Sequence, residues 1–145
     1  MSPLQNKSEI LREVAELLHN NNYYPAVAHS AYYCCFQLMK HIWLHSIRKT
    51  EDDLKNELNR FNQTASISGK KTLGIHEFLI RNVVQFIKSF PYRNAPSDSR
   101  IFNNSIWQLR DLRTNADYSD NEFSKTDSCN SLTLSKIIIP ILKRY

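Results

Sequence analysis

Four side chains with the means to handle a phosphate or a proton crowd one short stretch: Arg110, Arg113, Asp117 and Tyr118. At about 100° per residue, Arg113 projects within about 40° of the centre of an apolar stripe made by Phe102, Ile106, Leu109 and Ala116. Asp117 flanks that stripe one turn later, and Arg110 sits beside it. A guanidinium on the inward edge of an apolar face costs free energy unless it is paired or serves a ligand. Asp117, at i+4, is its natural counter-ion. Two uses fit the pattern: a structural clamp on the helix end, or a pocket in which Arg113 meets an anion.

Other constellations fail on chemistry. Gly69-Lys70-Lys71-Thr72 glances at a phosphate loop, but G-x-x-x-x-G-K-[ST] needs glycine where Thr64 stands and a hydroxyl where Lys71 stands. Glu16 and His19 have the E-x-x-H spacing of di-iron bundles, yet no second such pair exists, which leaves a surface pair. His41 and His45 lie one turn apart, but Ile42 replaces the glutamate of H-E-x-x-H and no third ligand is evident. No metal or cofactor is expected. The three cysteines, Cys34, Cys35 and Cys129, read as reduced thiols used as core filler. No serine or cysteine sits in a nucleophile elbow or beside a paired base.

The elements that must position these residues are helices. Only 2 Gly and 5 Pro occur in 145 residues, too few turn formers for a β-sheet protein, and the length suits a single domain over residues 1–145. Ser2-Pro3-Leu4-Gln5 predicts a capped helix start, and Ile10, Val14, Leu17 and Leu18 predict its buried stripe. Asn20-Asn21-Asn22 should end it. A second helix from about Tyr23 to Ile47 should be the most buried, with Val27, Ala31, Cys34, Leu38 and Ile42 inward. The connector 48–72 predicts a short helix to about Phe61 and a mobile loop over 62–71. A third helix should run from about Thr72 to Phe90 with Leu79, Val83, Phe86 and Phe90 inward, stopped by Pro91. A fourth, capped by Asp98, should reach Tyr118; a fifth should span about Thr126 to Arg144 and bend at Pro140.

Charge and hydropathy bound the setting. A net charge of +5 permits an anionic partner without requiring one. No basic start precedes an apolar run, and no apolar stretch approaches the ~20 residues of a membrane span. A cytoplasmic protein with no membrane contact is expected.

Three segments in order resemble a family. Tyr23-Tyr24-Pro25-Ala26 through Ala31-Tyr32-Tyr33 resembles the Y-x-x-A…A-Y-Y signature on the second helix of bacterial HEPN proteins, the higher-eukaryote and prokaryote nucleotide-binding helical domains. Gly74-Ile75-His76 resembles the G-x-H start of their third helix, and Arg113-Thr114-Asn115-Ala116-Asp117-Tyr118 is similar to the R-x-x-A-D-Y end of their fourth. The resemblance implies an all-α, antiparallel up-and-down bundle of four to five helices. It also implies a homodimer whose two copies line one cleft, in a toxin–antitoxin or defence setting. The cleft would bind a nucleotide, RNA or a nucleotidyltransferase partner through Arg110, Arg113, Asp117, Tyr118, His76 and Tyr33. Many members are metal-independent ribonucleases whose arginine is followed within two helical turns by histidine, the base for the 2′-hydroxyl. This chain departs there: no histidine follows His76. A ribonuclease would have to use Arg113 with Tyr118 or His76. Trp107, off the inner stripe, suggests a third reading, a protein-interaction module.

Overall fold

The computed structural model describes residues 1–145 as α1 (Pro3–Asn20), α2 (Tyr24–His41), α3 (Glu51–Ile67), α4 (Ile75–Lys88), α5 (Ala95–Tyr118) and α6 (Lys125–Leu142). The six helices surround one apolar core, and none is long and apolar enough to cross a membrane. Helix count exceeds the expected four to five because the connector carries a full helix.

Capping boxes fix three helix starts: Ser2 with Gln5, Thr50 with Asp53, and Ser124 with Asp127. Each hydroxyl accepts a backbone N–H of the first turn while the third residue's side chain returns the bond. Asn22 takes the left-handed conformation, φ 64°, that closes the turn after α1.

α2 is the central element. Val27, Ala31, Cys34, Leu38 and Ile42 are all buried, and its other apolar positions pack against α1, α5 and α6. Its end is wider than an α-helix. Residues Ile42–Ser46 form a π turn, with Ile47 N–H donating to Ile42 C=O at 2.8 Å, before Arg48 turns left-handed at φ 63°.

Several expectations are corrected. On α1 the inward residues are Ser8, Leu11, Ala15 and Leu18, whereas Ile10 and Leu17 face outward. Two candidate stripes lay side by side on this helix, and the one able to reach α2 with small residues won. α3 continues to Ile67 because Leu54 and Ala65 are buried, so residues 62–67 are helix and not loop. On α4 the buried face is Leu79, Ile80, Val83 and Ile87, with Phe86 and Phe90 half-buried at its rim. α5 starts before Asp98, which is buried in the first turn and engages Arg144 Nη1 and Tyr145 Oη, each at 2.7 Å. Pairing, not capping, is its role. Cys34 and Cys35 are core residues, but Cys129 is exposed. On α6, Ser128, Ser131 and Ser135 line the buried side, and Ser131 and Ser135 return their hydroxyls to their own helix carbonyls.

Candidate functional site

α2, α4 and α5 meet around Arg113. Each helix contributes by its own repeat: His29, Tyr32, Tyr33 and Phe36 on α2, His76 and Glu77 in the first turn of α4, and Arg110, Arg113 and Asp117 on α5. On α2 this aromatic stripe lies beside the core stripe, so one helix serves the core and the site together.

The start of α4 is held from α3. The Asn62 carboxamide accepts Leu73 N–H at 2.8 Å and donates to Leu73 C=O at 2.9 Å. Gly74 then begins α4 without a side-chain cap, and His76 follows two residues later. A residue of the supposed mobile loop therefore sets the position of a site histidine.

Arg113 is 15% exposed at its side chain. Its Nη2 donates to Tyr33 Oη at 3.2 Å, and its guanidinium lies over the rings of Tyr33, Tyr118 and Tyr32 at 5.3, 5.6 and 5.8 Å. Nε stands 3.0 Å from Asp117 Oδ2, but its N–H is not aimed at that oxygen. The contact is an ion pair and not a hydrogen bond. Arg110 Nε also lacks an acceptor, although Arg110 Nη2 lies 3.7 Å from Glu77 Oε1 and its guanidinium covers Trp107 at 5.5 Å. Both Nε–H groups are shielded and lack an aligned acceptor, so an anion would meet these two guanidinium groups through their Nη atoms.

The same Asp117 oxygen accepts His29 Nδ1–H at 3.0 Å. The His29 ring rests against Tyr33 at 4.7 Å, and its side chain is 50% exposed. One carboxylate thus bridges Arg113, one turn before it on α5, and His29, 88 positions away on α2. His29 is the residue that motif reasoning missed. Its spacing to Tyr33, one turn, was the available signal.

His76 is packed and not presented. Its ring stacks on Phe36 at 4.3 Å and on Tyr32 at 5.6 Å, and its Nδ1 pairs with Tyr32 Oη at 2.8 Å. Burial, assisted by the charges of Arg113 and Arg110, holds its pKa down at about 4, so the ring is neutral at physiological pH. Burial pushes the Tyr32 hydroxyl up, which keeps it protonated. Tyr118 is the opposite: 75% exposed, with its hydroxyl unbonded and its ring face turned to Arg113. Trp107 is half-buried, and its Nε1 donates to Asn103 Oδ1 at 3.0 Å, so it offers a partner less surface than its place on the helix suggested.

The structure brings the six expected site residues together: Tyr33, Arg110, Arg113, Asp117, Tyr118 and the half-buried His76, whose ring lies 5.9 Å from that of Tyr33. It adds His29, Tyr32 and Glu77. No group of three or more His, Cys, Asp or Glu side chains is arranged to hold a metal ion. The His41 and His45 rings lie 4.6 Å apart, tilted at 31°, and His41 Nδ1 is engaged by Ser2 Oγ at 2.8 Å. Compared with protein-family models, curated proteins and solved structures, the chain matches none.

Proposed function

We propose that the chain is a HEPN-like, antiparallel helical bundle that binds the phosphate of RNA or a nucleotide at the Arg110–Arg113–Asp117 face. It would work as a homodimer with two such faces on one cleft. The observation that carries this reading is the setting of Arg113: a guanidinium walled by three tyrosine rings and paired with Asp117, on the helix face that also carries Arg110. Exposed Tyr118 supplies a face on which a base can stack beside the phosphate.

The test is binding of a labelled RNA oligonucleotide to the purified chain, with Arg113→Ala compared with the parent. Binding should weaken at least about ten-fold while the helical signal and oligomeric state persist, since a charge-assisted contact is lost. An Arg113→Ala protein that stays folded and binds RNA as well as the parent removes the proposal.

The pairing of His29 with Asp117 favours a second reading, cleavage of RNA. The carboxylate fixes the proton on Nδ1 and leaves Nε2 with no bond inside the chain, the arrangement needed by a base for a 2′-hydroxyl. Arg113 stands on the same oxygen to stabilise charge on the phosphorane. His29 suits this task better than His76, whose lowered pKa makes it a weak base, or Tyr118, whose phenol is a poor one. Cleavage in excess chelator, lost in His29→Ala while RNA binding survives, is the expected result. Inert parent protein, or a His29→Ala variant that still cleaves, excludes it.

A further inference from the structure

α1 and α6 bring His19 against Cys129, two residues separated by 110 positions. No side chain of this pair belongs to the Arg113 site. His19 Nε2 lies 3.8 Å from Cys129 Sγ, and its Nδ1 lies 2.7 Å from the hydroxyl of Ser128, which is fully buried. The Tyr24 ring closes one side of the imidazole at 5.7 Å. The ring is therefore oriented through one nitrogen and turned to the thiol with the other. Sequence reasoning found no cysteine beside a base because the two partners sit on the first and last helices.

The thiol is exposed, and it opens on a groove of about 430 Å³ whose lining includes Glu16, Asn20, Thr133 and Lys136. The Glu16 carboxylate lies 3.7 Å from Arg12 Nη1, whereas Lys136 makes no ion pair, so the groove matches a small molecule carrying a carboxylate. Cys34 and Cys35 are buried and do not compete. A thiolate, not a thiol, is the nucleophile, and an imidazole in contact with the sulfur can take its proton and stabilise the anion as an ion pair.

We propose that Cys129 and His19 form a reactive thiol site for exchange with a low-molecular-weight, carboxylate-bearing disulfide. The Cys129 proton passes to His19 Nε2, and the thiolate attacks one sulfur of the disulfide. A new S–S bond forms on Cys129 as the old one breaks. Its electron pair leaves on the departing half, which takes the proton as a free thiol. The disulfide is the only co-reactant: it oxidises Cys129 and is reduced in the same step. Ser128 is a positioning residue, acting through the ring it holds.

The experiment treats the reduced full-length chain with glutathione disulfide and follows adducts at each cysteine by mass spectrometry. It is done on the native protein and on the same protein unfolded in guanidinium. Native Cys129 should react about ten-fold faster than unfolded Cys129, because only the fold supplies the imidazole. His19→Ala should abolish that advantage. Lys136→Gln should slow the reaction with glutathione disulfide and leave that with an uncharged disulfide unchanged. A native rate no greater than the unfolded one, an undiminished advantage in His19→Ala, or first modification at Cys34 or Cys35 overturns the proposal. The native-to-unfolded ratio of the parent decides the matter even if a variant does not fold.

Discussion

Asp117 is the residue on which the site's chemistry converges, because one of its oxygens serves both Arg113 and His29. Its partners differ in how legible they were. Arg113 is visible from its angle on α5, since a cation near an apolar stripe needs explaining. His29 is not, because its carboxylate lies 88 positions away and only the fold supplies the distance. His76 gives a residue-scale prediction. The folded protein keeps it neutral down to about pH 4, while an unfolded chain protonates it near its ordinary value of 6.5. Between these values the unfolded state binds more protons, so stability falls as pH falls through this window. His41, also lowered by burial, adds a slope of the same sign. Thermal melts of His76→Gln should lose part of the decline seen in the parent between pH 6.5 and about 4. An identical decline in both proteins would show that His76 titrates alike in the two states.

Helices with capping boxes and strong apolar stripes are legible from sequence, and α2, with its five inward residues all buried, is the clearest case. α3 is legible only in part: its start is capped by Thr50, but Leu54 and Ala65 alone are buried, Leu58 is half-buried, and Phe61 and Ile67 are exposed. Leu54, Leu58, Phe61 and Ala65 keep helical spacing, but past Phe61 that stripe is a single alanine among Asn62, Gln63, Thr64 and Ser66. What sustains it there is tertiary: the two hydrogen bonds from Asn62 to the Leu73 backbone. α1 misleads in another way, since Ile10 and Leu17 have helical spacing yet point outward. Spacing identifies the helix and does not choose between neighbouring faces. Asn62→Ala should cost about 1–2 kcal/mol, with two partly buried hydrogen bonds lost and a backbone pair left to water. Hydrogen exchange should register the change chiefly at Leu73 and the first turn of α4. Unaltered protection there would mean that α4 is positioned by its packing alone.

At the scale of the whole molecule, the proposed anion binding could rest on the net charge of +5 or on the Arg110–Arg113 face. The two differ in their salt dependence. Diffuse attraction is spread over many lysines and arginines, so that any single substitution alters it little. A guanidinium in contact with a phosphate releases counter-ions as a discrete step, lowering the slope of log affinity against log salt by about 0.7 for each contact on single-stranded nucleic acid. Arg110 is the better probe, because Arg113 also holds Tyr33 and Asp117 whereas the Arg110 pair with Glu77 is long at 3.7 Å. Arg110→Gln should therefore reduce the slope by about 0.7 with little effect on melting temperature. Lys71→Gln, an equal change of charge on the exposed turn after α3, should leave the slope almost unaltered. Equal shifts from both substitutions would mean that any RNA bound is held by overall charge, and the proposed three-helix face would fall.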